Sequence, residues 1–115
     1  MKKWKVAGQM CDYSHDMRYP MDQSFQLLGK KWATPILLEI LSGKDSFNVL
    51  LRAIPGVNSK TLSARLEDFQ RAGLVEKQQL ATKPRQTRYG LTPKGEEFRM
   101  LTRDLVGFSM KWHRA

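Results

Sequence analysis

Residues 57–74, VNSKTLSARLEDFQRAGL, have the pattern of one bounded amphipathic helix. Apolar side chains recur there at positions i, i+4 and i+7, a spacing that places them on one stripe of a helix: Leu62, Leu66 and Phe69. Asn58 and Ser59 are good N-cap residues, and Gly73 suits a left-handed C-terminal cap. The sequence therefore predicts a helix over residues 59–72 whose apolar stripe faces a core.

The opposite face of this helix and its flanks carry small, hydroxyl-bearing or cationic side chains in the first half: Lys60, Thr61, Ser63, Ala64 and Arg65. Such side chains fit a DNA major groove and can reach phosphate oxygens or base edges there. The alternative is an ordinary solvated surface helix, in which Glu67 and Arg71 form an i, i+4 ion pair. This helix alone leaves both interpretations open.

A shorter helix is predicted just before it. Apolar residues at helical spacing lie between Asp45-Ser46, where either side chain could cap a helix, and Pro55-Gly56: Phe47, Leu50, Leu51 and Ile54. Residues 56–58 then form a tight turn. Two short helices joined by such a turn, the second with its polar face outward, predict a helix-turn-helix.

Two β-like runs follow Gly73, at residues 74–80 and 86–91, with Ala-Thr-Lys-Pro-Arg between them at residues 81–85. The segment from residue 77 to residue 88 contains no acidic residue and four basic ones: Lys77, Lys83, Arg85 and Arg88. A cationic hairpin beside a helix-turn-helix is typical of a DNA-contacting wing. The alternative is an exposed, solubilising turn.

Further helices are predicted on both sides of this unit. A first helix over residues 21–28 ends near Gly29. A second begins near residues 32–34, because Pro35 is tolerated only in a first turn. The last helix begins at Thr92-Pro93, where threonine can cap and proline suits the first helical position.

The last helix carries apolar residues spaced 3, 4, 3 and 4, called the seam below: Phe98, Leu101, Leu105, Phe108 and Trp112. This spacing is that of a heptad repeat. A small domain rarely needs so long an apolar seam at its terminus, and two-fold pairing is the commonest soluble assembly, so we expect a homodimer. The alternative is that the seam docks on the first and second helices of the same chain.

Composition narrows the class of partner. The formal net charge is +9, with 20 Lys+Arg against 11 Asp+Glu, and the excess is densest over residues 58–92. Such a balance favours a polyanion such as nucleic acid, or an anionic membrane surface. No stretch approaches the roughly 18 consecutive apolar residues of a membrane span, and there is no signal-peptide-like run. At 115 residues the chain is expected to form one domain. Its single cysteine, Cys11, excludes an intrachain disulfide and suggests a reducing compartment, so we expect the domain to be cytoplasmic.

The sequence shows no signature of catalysis, metal binding or cofactor binding. Cys11 and His15 are spaced like half a metal site, but His113 is the one other histidine, so zinc is not expected. Glycine-rich phosphate loops, a nucleophile elbow and a convincing acid/base carboxylate pair are missing. We therefore expect no catalytic residue, no metal and no cofactor, and a protein that is not an enzyme.

Taken together, several segments give the chain a family resemblance: LGKKW at 28–32, FNxLxRxIPGV at 47–57, LxxxL at 62–66, GLV at 73–75 and RYGLTPKG at 88–95. In order and spacing the chain resembles the HxlR-type branch of winged helix-turn-helix transcription regulators, which is related to the MarR-type regulators. The resemblance implies a dimer formed by the first and last helices, with Phe25 at that interface. It also implies a major-groove helix at residues 59–72 and a hairpin near residues 81–88 at the adjacent minor groove or backbone.

The N-terminal region departs from the family pattern. Members often carry a cysteine-proline pair ahead of the first helix, and some use that cysteine as a redox or electrophile sensor. Here the aligned position is Tyr19-Pro20, and Cys11 lies eight residues upstream.

The expected fold is mainly α (α+β): a winged helix-turn-helix with a two-stranded wing and N- and C-terminal dimerisation helices. Residues 1–18 form an arm, and residues 19–115 form the DNA-binding domain with its dimerisation helix. We expect a dimeric, sequence-specific transcription regulator of double-stranded DNA. The alternatives are a protein-interaction module, with the seam binding another protein, and a non-specific architectural DNA binder. The sequence identifies no operator and no small-molecule effector.

The candidate site residues fall into three groups. Base edges are assigned to Lys60, Ser63, Ala64 and Arg65. Phosphates or the minor groove are assigned to Ser59, Thr61, Lys83, Arg85 and Arg88. The dimer interface is assigned to Phe25, Phe98, Leu101, Leu105, Phe108 and Trp112.

Overall fold

The computed structural model describes residues 3–12, 18–80 and 83–113, and the chain divides into two compact units, residues 1–34 and 35–115. In chain order the elements are β1 Lys3–Val6, β2 Gln9–Asp12, α1 Arg18–Leu28, α2 Ala33–Leu41, α3 Phe47–Ala53, α4 Ser59–Arg71, β3 Val75–Leu80, β4 Lys83–Leu91 and α5 Pro93–Trp112. None of the helices in these described ranges is long and apolar enough to cross a membrane.

The first unit contains a hairpin that the sequence did not predict. Strands β1 and β2 pair antiparallel, with Lys3 opposite Asp12 and Val6 opposite Gln9. The two residues between them, Ala7 and Gly8, both have positive φ angles, 50° and 80°. A two-residue hairpin turn of type I′ needs positive φ at both positions, and Ala-Gly lacks the Asn-Gly or Asp-Gly signature that marks such a turn in a sequence. The hairpin therefore falls within the predicted arm of residues 1–18.

The core of the second unit is built from α2, α3 and α4, together with the start of β3 and the residue before it. Its buried apolar side chains are Ile36, Leu37, Ile40, Leu50, Ile54, Leu62, Leu66, Phe69, Leu74 and Val75, with Tyr89 from β4. Burying each large side chain of this kind stabilises the fold by about 1.5–3 kcal/mol. Among the described residues no polar or charged residue is buried. Burial also raises the pKa of Tyr89 above its usual range.

Helices α3 and α4 form the predicted helix-turn-helix. The Ser46 hydroxyl accepts a hydrogen bond from the backbone N–H of Val49 and caps α3. Asn58 Oδ1 accepts from the backbone N–H of Thr61 at 2.8 Å and caps α4. Each cap satisfies a backbone donor that the first turn of a helix leaves free. The two short helices are therefore fixed on either side of the turn at Pro55-Gly56.

The wing is the antiparallel pair β3–β4, with Val75 opposite Leu91 and an irregular register between Gln79 and Leu80. Strand β4 begins at Lys83, three residues before the predicted start. A third segment joins the outer edge of β4: the backbone N–H of Tyr89 donates to the Asp45 carbonyl at 2.7 Å. Helix α3 therefore starts directly beside the wing.

The C-terminal end of α4 is closed by the predicted glycine cap. Gly73 has a φ angle of 78°, in the left-handed region. Its N–H donates to the carbonyl of Gln70, and the N–H of Leu74 donates to the carbonyl of Phe69. This pattern satisfies carbonyls that the last turn of a helix leaves unpaired.

Helix α5 begins against this same end of α4. Lys94 Nζ donates to the carbonyl of Ala72 at 2.7 Å, and the Thr92 hydroxyl donates to the carbonyl of Gly73. A Cβ added at Gly95 would lie 2.1 Å from the carbonyl oxygen of Leu74, so glycine is needed for the two backbones to approach this closely. The start of α5 is thus tied to the end of α4.

Candidate nucleic-acid interface

Helix α4 has one face buried and the opposite face in solvent, as its sequence predicts. Leu62, Leu66 and Phe69 are almost completely buried. Of the predicted DNA-contacting residues on this helix, Ser59, Lys60 and Ser63 are exposed, whereas Thr61, Ala64 and Arg65 are half-buried. Because the helix is held through its stripe and both caps, these exposed side chains project from a rigid support.

The cationic side chains of α4 differ in whether they form ion pairs. Arg71 pairs with Glu67 at 2.5 Å, as the surface-helix interpretation expects. Lys60 is exposed and makes no ion pair with any carboxylate in the described part of the chain. An unpaired exposed cation can meet a phosphate or base acceptor without first giving up a partner.

Arg65 is arranged differently from Lys60. Its Nε lies 3.2 Å from Asp68 Oδ2, and the two side chains are only 20% and 13% exposed. Arg65 was assigned to base edges, but its charge is already engaged on the flank of the helix. To contact a base it would have to exchange this pairing for one with DNA.

On the wing, Arg88 is the predicted DNA-contacting residue whose side chain can be placed. Its Nη1 lies 3.0 Å from Asp45 Oδ2, and the two side chains are 49% and 48% exposed. Lys83 and Arg85 lie on β4, but their side chains fall outside the described part of the structure. The basic character of the wing tip therefore stays a prediction from sequence.

A polar groove runs between α3 and β4. It has a volume of about 570 Å³ and is lined by Asp45, Ser46, Phe47, Asn48, Val49, Arg52, Thr87 and Arg88. Sequence analysis assigned no DNA contact to Asp45 or Arg52. Asp45 was considered only as a helix cap, because it and Arg88 are 43 positions apart in the chain and no local pattern links them.

The seam on α5 is largely uncovered. Phe98 is half-buried, whereas Leu101, Leu105, Phe108 and Trp112 are 56%, 50%, 56% and 65% exposed. On α1, Phe25 is exposed as well. Four exposed apolar side chains along one stripe of α5 are typical of an interaction surface. In the described residues, no group of three His, Cys, Asp or Glu side chains could hold a metal ion.

The chain matches the model of the HxlR-like helix-turn-helix family over residues 27–115. It belongs to that family. YodB, an HTH-type transcriptional regulator of Bacillus subtilis, is 31% identical over 89 residues, which cover 77% of this chain and 80% of YodB. The uncharacterized HTH-type transcriptional regulator MJ0925 of Methanocaldococcus jannaschii is 30% identical over 95 residues, covering 79% of this chain and 83% of that protein.

Solved structures agree with this assignment. The reduced form of YodB superposes with a TM-score of 0.73 at 27% identity, covering 83% of this chain and 93% of YodB. The predicted winged helix-turn-helix fold of the HxlR and MarR type is thereby confirmed. This HxlR-like protein is a DNA-binding transcription regulator, and its relatives are regulators rather than enzymes.

Proposed function

We propose that this regulator recognises a specific DNA sequence as a homodimer, with α4 in the major groove and the wing at the adjacent minor groove or backbone. The observation that carries the proposal is that α4 has one face buried and the opposite face exposed. Its apolar stripe is sealed into the core, and its outer face presents Lys60, an unpaired cation, between the exposed hydroxyls of Ser59 and Ser63. A regulator of this kind acts on chromosomal DNA, so we place it in the cytoplasm.

The contacts divide by chemistry. We assign base edges to Lys60, Ser63 and Ala64, because short or flexible side chains on the outer face can approach the bases. Ser59, Thr61, Lys83, Arg85 and Arg88 are assigned to phosphates or the minor groove. Arg65 joins the base-reading group if it leaves Asp68 when DNA binds.

The dimer is proposed from the uncovered seam. A second copy would cover Leu101, Leu105, Phe108 and Trp112, and the resemblance adds Phe25 on α1. Burial of aromatic and aliphatic side chains is the main favourable term in association. Two-fold symmetry would then present two α4 helices to successive major grooves, about one helical turn of DNA apart, or roughly 34–36 Å.

Selection of bound sites from random duplex DNA tests the proposal. A palindrome with half-sites near one helical turn apart would support both sequence recognition and two-fold symmetry. Displacement by random-sequence competitor as effective as by the selected site would instead indicate architectural binding. A monomer indifferent to every duplex would favour a protein-interaction module.

Lys60→Gln is the variant that tests the role of α4. We expect it to change the selected sequence and weaken binding to the wild-type site by about 1–3 kcal/mol, the range of a lost base contact. Arg103→Gln removes the same charge from an exposed position on α5 and serves as the control. If Lys60→Gln binds the wild-type site with unchanged preference and affinity, α4 is not the reading helix.

A further inference from the structure

The groove between α3 and β4 brings two arginines to one polar surface. Arg52, in the last turn of α3, is exposed and has no ion-pair partner among the described residues. Arg88 lies on β4 and also lines the groove. The hydrogen-bonding side chains of Asn48 and Thr87 line the same groove. Two guanidinium groups and neutral hydrogen-bonding side chains in one groove have the chemistry that recognises a phosphate.

One of these arginines is engaged by a carboxylate. Asp45 Oδ2 accepts a hydrogen bond from Arg88 Nη1 at 3.0 Å. The backbones are joined independently, because the Asp45 carbonyl accepts from the Tyr89 N–H at 2.7 Å and Ser46 bridges to Arg88. The base of the wing is thus held by main-chain hydrogen bonds, and the side-chain pair adds little stability because ion pairs between exposed groups are weak.

The position of the groove suits the DNA backbone. One wall is β4 of the wing, and the other is α3, whose last turn precedes the Pro55-Gly56 turn into α4. If α4 occupies a major groove and the wing the adjacent minor groove, the sugar-phosphate strand that separates those grooves passes between the two elements. The α3–β4 groove borders the wing directly, and its other wall includes Arg52 in the last turn of α3, the helix that precedes α4 in the chain.

We propose that the α3–β4 groove is a seat for a DNA phosphate, and that Asp45 is a built-in competitor for it. Without DNA, Arg88 is paired with Asp45. On binding, Arg88 exchanges the carboxylate for a phosphate oxygen, and Arg52 contacts the same phosphate from the opposite wall. Asp45 thereby lowers the affinity for all DNA sequences alike. This inference rests on the proposed placement of α4 and the wing.

The test compares two variants that each remove one negative charge and release one arginine. Asp45→Asn frees Arg88 and keeps the backbone bond to Tyr89. Glu96→Gln is the control, because Glu96 pairs with Arg99 on α5 at 3.5 Å with comparable exposure, 55% and 46%. We expect Asp45→Asn to tighten DNA binding about two- to fivefold near 0.1 M salt, the range that an exposed ion pair is worth. The slope of log affinity against log salt should steepen by roughly one, as for one added phosphate contact.

Glu96→Gln should change the slope much less, because its charge lies outside the groove and is screened. The proposal also requires that the gain depend on Arg88. In an Arg88→Gln background, Asp45→Asn should change affinity by a factor of about one. Arg52→Gln alone should weaken binding and make the slope shallower by roughly one. Thermal melting of each variant checks that the fold is intact.

Two parts of the inference can be tested separately: that the groove binds a phosphate of DNA, and that α4 and the wing bind DNA at all. Replacing chloride by inorganic phosphate at constant ionic strength should change the DNA affinity of Asp45→Asn and of Asp45→Asn/Arg88→Gln by the same factor. A selective loss of affinity in the single variant would mean that the groove binds free phosphate, and would overturn its assignment to a DNA phosphate. Weaker DNA binding by Asp45→Asn, or an effect equal to that of Glu96→Gln, would overturn the inference and leave the proposed function standing. Failure of the wild type to bind any duplex would overturn both.

Discussion

Helices α4 and α5 have similar apolar periodicity, but the apolar stripe of α4 is buried and that of α5 is largely exposed. In α4, Leu62, Leu66 and Phe69 are buried in the core. In α5, four of the five seam side chains are at least 50% exposed. Periodicity therefore identifies the face of a helix that avoids water, and it does not say which surface covers that face. For α4 the cover is in the same chain. For α5 the described residues leave the seam open, which is the reason for proposing a second copy.

The difference also appears along α5 itself. Its first turn is tied to α4 through Thr92, Lys94 and the close approach at Gly95. Farther along, a Cβ added at Gly107 would meet nothing within 4 Å. The beginning of α5 belongs to the packed unit, and its remainder extends an apolar surface into solvent. Substitutions should therefore affect folding at one end and association at the other.

The largest expected contrast is between two phenylalanines. Phe69→Ala should lower the free energy of unfolding by about 3–5 kcal/mol, because it removes a fully buried ring from the core. Phe108→Ala should leave the unfolding of the dilute chain nearly unchanged and weaken self-association instead. Urea denaturation at low protein concentration measures the first effect, and light scattering across a concentration series measures the second. Equal losses of unfolding free energy would mean that the seam packs inside its own chain.

Two glycines of α5 give the next contrast. Gly95→Ala should destabilise the protein by about 1–3 kcal/mol or more, because its Cβ would overlap the Leu74 carbonyl and force the end of α4 and the start of α5 apart. Thermal melting measures this loss, and DNA binding should weaken with it because α4 loses part of its support. A variant with wild-type stability would show that the two helices are not tied at this point.

Gly107→Ala should have the smallest effect and the opposite sign. The site is open and helical, so alanine should raise the free energy of unfolding by up to about 1 kcal/mol through its higher helix propensity. The same thermal melts measure it beside Gly95→Ala. Destabilisation or loss of self-association would place a neighbouring backbone against Gly107, on the side of α5 away from the seam.

Local chemistry made much of the fold predictable from sequence. Helix α4 begins after Asn58 and ends before Gly73, and α5 begins at Thr92-Pro93. These ends were predictable because helix capping depends on residues within one turn. The β1–β2 hairpin was missed because Ala7 adopts a positive φ that alanine rarely takes. Its turn therefore carries no sequence signal.

The candidate site was predictable only in part. The exposed position of Lys60 follows from the periodicity of its own helix. The engagement of Arg65 by Asp68 was not foreseen, although the spacing of three residues would have allowed it. The pairing of Arg88 with Asp45 depends on how the wing folds back on the start of α3, and neither segment encodes that by itself.

The molar mass of the purified protein in solution tests the central claim, that the seam is covered by a second copy. Light scattering should give twice the 13.3 kDa chain mass for the wild type and for Met100→Glu, an exposed change off the seam. It should give the single-chain mass for Leu105→Glu, because a carboxylate would then be buried unpaired at the interface. A wild type that stays at 13.3 kDa from micromolar to near-millimolar concentration would contradict the account.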